Sequence, residues 1–307
     1  MWLIEYENEE GQRKLIGHHG VMAELFNFFG KEIIVGKTEN TMILPEFREK
    51  ILYLRYEKEF LNNYKQRFGA IFSTFGPKNA IKMRAALGYK NNIKWENTYI
   101  GYEPLVSLSL ILNRTFKINV NLDKINYFFY DGFDCQVIDV EKNNFDFDSF
   151  WKKISKNYEL TPARTKANLN WRFWTNPYHK YKTLKISHPE FGVFIAIIFV
   201  NLNGVICVDD IFLEKKYEIS KFLIVFNKWI RHEIRFPVIK FLTTNDNFFY
   251  ENCDVVLKYT LISKFKKIFG INSQELYMPR KIIDKSLNNE DGDDYEWYVT
   301  GFYLEGR

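Results

Sequence analysis

Apolar and polar residues alternate along this chain in a way that divides it into short strands and a few amphipathic helices. Trp2 to Tyr6 reads as a strand, and Leu15 to Met22 as the next, carrying Gly17-His18-His19-Gly20. Lys31 to Gly36 follows, and Asn40 to Leu44 is a short apolar strand stopped by Pro45. From Glu49 to about Phe68, apolar residues at Ile51, Leu54, Leu61, Tyr64 and Phe68 mark one helix face. Ala70 to Phe75 reads as a strand, and Asn79 to Ala86 as a short helix closed by Gly88.

The pattern repeats further on. Strands are expected within Asn97–Asn113, at Phe116–Val120 and at Cys135–Val140. Asn144 to Ser149 carries the acidic and capping residues of a helix start before Phe150 and Trp151. Strands at Lys182–Ile186, Val193–Val200 and Val205–Phe212 precede a helix from about Tyr217 to His232. Ile219, Phe222, Leu223, Phe226, Trp229 and Ile230 share one face of that helix, which core packing explains. The run from Gly192 to Val208 is apolar but broken by Asn201-Leu-Asn-Gly204, which predicts a hairpin and not a membrane span. Val238–Thr243 and Tyr295–Leu304 are further strands, and the acidic stretch Asn288 to Asp294 is a solvated loop without the pattern of an EF-hand. The expectation is a mixed α/β (α+β) protein with two lobes of similar plan.

Composition narrows the class. Hydrophobic residues at 46% and charged residues at 26% describe a globular chain. A net charge of +5, with acidic residues nearly matching basic ones, favours small anionic ligands over nucleic acid. Cys135, Cys207 and Cys253 are far apart and odd in number, so neither a disulfide framework nor a metal-type pairing is expected. With a charged opening segment, this composition points to the cytoplasm.

The sharpest chemical feature is the strand ending at Leu44, the turn with Arg48 and Lys50, and the helix after it. A helix N-terminus beside two cations attracts an anion through its N–H groups and dipole. The same arrangement is also an ordinary strand-turn-helix with two solvated cations. Glycines that usually let backbone approach a phosphate are missing, since Glu49 and Ile51 occupy the turn.

The wider stretch Val35-Gly-Lys-Thr-Glu-Asn-Thr-Met-Ile-Leu-Pro-Glu-Phe-Arg48, with Phe75-Gly-Pro-Lys-Asn79 and Leu87-Gly-Tyr89, resembles the GNAT acyltransferase superfamily. It is similar in particular to the two-lobed members from bacterial polysaccharide gene clusters. A second stretch, Arg164-Thr-Lys-Ala-Asn-Leu-Asn-Trp-Arg-Phe173 with Asn176-Pro177 and Tyr181, resembles the opening of a further GNAT-like lobe. The resemblance implies a first lobe over 1–114 that lacks its usual first elements, a connecting region over 115–163 and a second lobe over 164–307.

It also implies acetyl-CoA or another acyl-CoA as co-substrate, with no metal, and direct attack of an amine on the thioester. Met42, Ile43 and Leu44 would pair with the pantetheine arm, one of their N–H groups, with Leu44 among the candidates, stabilising the oxyanion. Arg48, Lys50 and the N–H groups near Leu52 and Tyr53 would hold the pyrophosphate, and Asn79 would lie near the thiol arm or act as a helix cap. The tyrosine that often serves as general acid is replaced by Arg84, so that role is not carried over. The second lobe is the poorer donor site because Asp209 and Asp210 would repel phosphate.

A base must take the amine's proton, and His18 and His19 are candidates because an imidazole titrates near neutral pH. They point to opposite faces of their strand, and either could instead be structural. Glu24, Asp209 and Asp210 are alternatives. Trp171, Arg172, Tyr178 and Tyr181, with Asp209 and Asp210, are candidates for the acceptor, the first four through ring stacking and phosphate pairing; a core anchor is the other reading of Trp171. The expected acceptor is a nucleotide-linked amino sugar such as a dTDP-3-amino-3,6-dideoxyhexose, in a monomer or homodimer serving surface polysaccharide biosynthesis. A Fem-like aminoacyltransferase and a degenerate, purely binding GNAT pair are the competing readings.

Overall fold

The computed structural model describes residues 1–50, 52–64, 66–74, 78–100, 120–140, 144–234, 237–244, 248–249, 257–258, 278–287 and 295–300. Two compact units form, Met1–Lys94 with Glu275–Tyr295, and Trp95–Gln274 with Glu296–Arg307.

In the first unit, strands β1 (Trp2–Glu7), β2 (Arg13–Phe28) and β3 (Lys31–Ile43) run antiparallel in sequence order. Phe29 and Gly30 turn the β2–β3 hairpin, both at positive φ (48° and 86°), and Asn27 Oδ1 accepts the Gly30 N–H at 2.9 Å. Two positive-φ residues match the right-handed twist of the paired strands. Pairing then runs from Phe28↔Lys31 to Gly17↔Ile43, so the two strands expected at Lys31–Gly36 and Asn40–Leu44 are one. A 3-10 turn (Pro45–Lys50) leads into helix α1 (Leu52–Tyr64). The helix ends sooner than its apolar spacing predicts, because the Gly69 N–H already bonds to the Ile34 carbonyl and begins strand β4 (Ala70–Phe72).

β4 lies parallel to β3, and the strand Arg280–Ile282 pairs on its other edge. Helix α2 (Lys78–Ala86) follows, and its end is set by Gly88 at φ 80° with the Tyr89 N–H on the Arg84 carbonyl. Phe60, Phe68, Ile71 and Tyr89 form a buried cluster with Trp2, Leu61 and Tyr64 packed against it.

Among the described residues of the second unit, eight strands pair in the order β13-β5-β12-β11-β10-β9-β7-β6. Their ranges are β5 (Trp95–Ile100), β6 (Phe128–Tyr130), β7 (Phe133–Ile138), β9 (Lys182–His188), β10 (Gly192–Val200), β11 (Ile206–Leu213), β12 (Ile239–Thr244) and β13 (Leu257–Lys258). Strand β8 (Leu160–Pro162) bridges Trp297 through Leu160. Helix α3 (Phe147–Ile154) starts where Asp146 caps the Ser149 N–H. Helix α4 (Ile219–Glu233) joins β11 to the parallel β12. The six apolar residues expected on one face of α4 are all fully buried. The hairpin also forms as read, with Gly204 at φ 76° and Asn201 Oδ1 accepting the N–H groups of Asn203 and Val205.

Each unit thus repeats one plan: three antiparallel strands, a helix, and a strand parallel to the third. The units divide differently from the expected boundaries at 114 and 163. β5 joins the second unit because it pairs with β12 and β13, and β7 joins it through β9. The strands expected over 101–119, the acidic loop 288–294, Cys253 and residues 75–77 of the first motif lie outside the described residues.

Candidate active site

In the first unit, among the described residues, β3 and β4 pair at Val35↔Ala70, Gly36↔Ile71 and Lys37↔Phe72. Beyond that they part, with the Thr38 hydroxyl reaching the Phe72 carbonyl at 3.4 Å. Among the described residues no strand pairs with that side of β3 from Thr38 to Ile43, while it stays paired with β2 on the other. Between His18↔Met42 and Gly20↔Glu39 the register slips, so Asn40 and Thr41 face the single residue His19. Such a bulge bends the strand and re-aims its side chains. Glycines flank His19 because the backbones crowd here. A Cβ at Gly17 would lie 2.4 Å from the Met42 carbonyl oxygen, and one at Gly20 would lie 2.6 Å from that of Glu39.

The edge groups can be assigned. The Leu44 N–H donates to the Ile16 carbonyl at 2.8 Å, so it is occupied by β2. Leu44 as oxyanion donor is therefore corrected. Since Leu44 bonds to Ile16, Ile43↔Gly17 is a non-hydrogen-bonded pair, and both backbone groups of Ile43 face the edge away from β2. The Ile43 carbonyl accepts from Arg48 Nε at 2.9 Å. Arg48 thus folds back onto the end of the splayed strand, while Met42 is exposed beside it. Lys50 closes the 3-10 turn, and its side chain lies outside the described part. Leu52 and Tyr53 open α1, and Asn79 is exposed in the first turn of α2.

Behind the bulge sits a buried polar cluster. His19 is fully buried, with Nδ1 2.6 Å from Thr41 Oγ1 and Nε2 3.9 Å from Glu57 Oε2. Glu57, also fully buried, accepts from the Tyr89 hydroxyl at 2.6 Å and lies 3.3 Å from Arg84 Nε. Arg84 also donates to the Thr38 hydroxyl at 2.9 Å. Burial holds His19 down at about pKa 4, against the pull of Glu57, so the ring is neutral near pH 7. Burial likewise pushes the Tyr53 and Tyr89 phenols up, and both remain hydrogen-bond donors. Of the two histidines, His18 is half-buried and turns to the other face. Glu57 was missed by the sequence reading, although it interrupts the apolar face of α1 between Tyr53, Tyr56 and Phe60.

The second unit has the same splay. β11 and β12 pair at Ile206↔Ile239, Cys207↔Lys240 and Val208↔Phe241 and then part. Here the gap is filled by the chain's own segment 297–300. Thr300 bridges Thr243 and donates to Asp210 Oδ1 at 2.9 Å, while the Tyr298 hydroxyl donates to the Ile211 carbonyl at 2.6 Å. Asp209 sits in a bulge of β11 and accepts from the Tyr181 hydroxyl at 2.9 Å. Asp210 is fully buried and paired with Arg164, which removes it from the candidates for acceptor binding.

A cleft of about 810 Å³ opens on the second unit, lined by Trp174, Asn176, Tyr178, His179, Tyr181, Lys182 and the hairpin turn 201–203. Tyr178 is almost wholly exposed. The Asn176 carboxamide fixes the loop by accepting the N–H groups of Tyr178 and His179. Lys182 pairs with Asp123 at 2.9 Å. The structure thus brings Tyr178 and Tyr181 together. Trp171 is half exposed with the Arg172 guanidinium 5.9 Å from its ring; it is no core anchor and does not line the cleft.

This architecture is similar to solved GCN5-related N-acetyltransferases from Anabaena variabilis (10% identity, TM-score 0.54) and Kribbella flavida (6% identity, TM-score 0.51). It is also similar to a probable N-acyltransferase from Enterococcus faecalis (9% identity, TM-score 0.51). The matches cover 88%, 89% and 89% of this chain and 61%, 59% and 60% of those chains, in the order named. The chain therefore spans about three fifths of their length. No family model and no curated protein matches the sequence. At these identities the likeness is one of fold: the chain has the GCN5-related N-acetyltransferase fold.

Proposed function

We propose that the chain is an acyl-CoA-dependent N-acyltransferase whose donor lies along β3 of the first unit. The observation that carries this reading is the splay after Lys37 and Phe72, which among the described residues leaves one edge of a strand open beside a bulge. An extended, amide-bearing arm such as pantetheine completes such an edge as an added strand does. Placed there, the thioester carbonyl would meet the Ile43 N–H, which stabilises the oxyanion formed when an amine attacks. Arg48 supplies positive charge at the end of the same strand for the diphosphate. In the second unit the corresponding gap is closed by Tyr298 and Thr300, which favours a single donor site.

For the acceptor, the reading is a nucleotide-linked amino sugar of the dTDP-3-amino-3,6-dideoxyhexose type. The aromatic and carboxamide lining of the second-unit cleft supports it, since ring faces stack on bases and sugars and amides bond to hydroxyls. The test is release of CoA thiol from acetyl-CoA against a panel of nucleotide-linked amino sugars and their amine-free counterparts. Amine-dependent release with one of them is the expected result. Confirmed CoA binding without turnover of any amino sugar would remove the acceptor assignment.

A further inference from the structure

The bulge in β3 does more than open a strand edge. It sets the hydroxyl of Thr41, an exposed residue, 2.6 Å from Nδ1 of a fully buried imidazole. When Thr41 donates this bond, the ring hydrogen of His19 sits on Nε2, facing the Glu57 carboxylate at 3.9 Å. Glu57 is itself fixed by Tyr89 and Arg84. A line of groups therefore runs from the hydroxyl of an exposed threonine, through a neutral base, to a buried carboxylate. Its exposed end stands on the open stretch of β3, two residues before Ile43.

We propose that Thr41 and His19 form the proton path of the acyl transfer, with Glu57 as a positioning residue. The inference rests on the reading that the first unit holds the thioester. A neutral amine attacks the carbonyl carbon; the C–N bond forms and the carbonyl π pair moves to oxygen. One N–H proton passes to Thr41 Oγ1 as the Thr41 proton passes to His19 Nδ1. The oxyanion then re-forms the carbonyl, the C–S bond breaks, and the thiolate leaves with its electron pair. The imidazolium returns its proton through Thr41 to the sulfur, so acyl-CoA and amine become amide and CoA thiol.

The surroundings suit a transient imidazolium. Glu57 opposes Arg84 and the chain's amino terminus as the nearest charges, with His18 on the same strand and Tyr53 and Tyr56 on α1. Burial makes the protonated ring short-lived, which favours handing the proton back.

The test compares Thr41→Val, Thr41→Ser and His19→Gln, using acetyl-CoA and the amino sugar nucleotide that the wild type acylates. Acetyl-CoA affinity is measured in parallel by calorimetry. Thr41→Val is expected to lower kcat by about 100-fold with the affinity nearly unchanged, and Thr41→Ser to restore most of it. His19→Gln combined with Thr41→Val is expected to be little worse than either alone, as for groups acting in one path. Because Thr41 is exposed, its variants keep the test open even where His19→Gln fails to fold. A Thr41→Val enzyme with wild-type kcat, or a serine variant as impaired as the valine, overturns the proton path alone. A wild type that does not bind acetyl-CoA overturns the donor-site reading and the path with it, and one that binds acetyl-CoA but acylates no amine of the panel overturns the path while the donor site stands.

Discussion

Arg164 and Asp210 meet in the interior of the second unit through two hydrogen bonds, Nε to Oδ2 at 2.8 Å and a terminal guanidinium nitrogen to Oδ1 at 2.9 Å. Neither side chain reaches solvent. Each makes further bonds within the fold: Arg164 also donates to the Thr161 hydroxyl and the Pro162 carbonyl, and Asp210 accepts from Thr300 and the Ile211 N–H. The guanidinium is also surrounded by the rings of Trp151, Tyr158, Phe212 and Tyr298. A residue read as the start of a family motif is thus a structural pin.

Arg164→Met strands a buried carboxylate. It is expected to cost about 3–5 kcal/mol of stability, the usual penalty for breaking a buried pair from one side. Urea unfolding followed by tryptophan fluorescence measures it. A loss under about 1 kcal/mol would mean that water reaches Asp210, contrary to the sealed geometry.

His19 makes stability depend on pH. Its folded pKa of about 4 lies below the ordinary 6.5, so the unfolded chain binds the proton more readily. The contribution is complete above about pH 6.5 and is lost as pH falls towards 4. It amounts to about 3 kcal/mol. His19→Gln should flatten that part of the stability curve, and an unchanged slope in the variant would assign it to other groups.

Tyr298→Phe removes the hydrogen bond to the Ile211 carbonyl and keeps the ring that fills the second-unit gap. About 1 kcal/mol of stability should be lost. Acetyl-CoA affinity should stay at the wild-type value. A change in affinity would show that the second unit takes part in donor binding.

Gly20→Ala places a methyl group against the Glu39 carbonyl oxygen, a backbone atom that cannot swing aside. Strand β2 must shift from the bulge, at an expected cost of about 1–3 kcal/mol. The Glu39 contact predicts a lower thermal midpoint for Gly20→Ala than for an alanine at the exposed Gly11, where a Cβ meets nothing within 4 Å but the positive φ adds local strain.

Much of the fold was legible because its signals are local. The apolar stripe of α4, the Asn201–Gly204 turn and the Gly88 cap each depend on neighbouring residues only. What escaped was set by partners distant in sequence. Lys31–Gly36 and Asn40–Leu44 read as two strands because the polar stretch between them is carried by pairing with β2. Leu44 and Asp210 looked available because nothing nearby in sequence announces Ile16 or Arg164 as their partners. Tyr178 and Tyr181 share the cleft as their proximity in sequence suggests, whereas Trp171 turns elsewhere. Thr41 and Glu57 gave weaker signs: a hydroxyl within a short apolar strand, and one carboxylate on an otherwise apolar helix face.

Isothermal titration of acetyl-CoA into the wild-type chain and into Arg48→Glu bears most directly on the donor site at β3. Saturable binding at one site per chain, weakened at least about tenfold by the charge reversal, is the expected result, since the variant sets a carboxylate beside the diphosphate. Absence of binding by a folded wild type, or equal binding by the two proteins, would contradict a donor held at the end of the splayed strand.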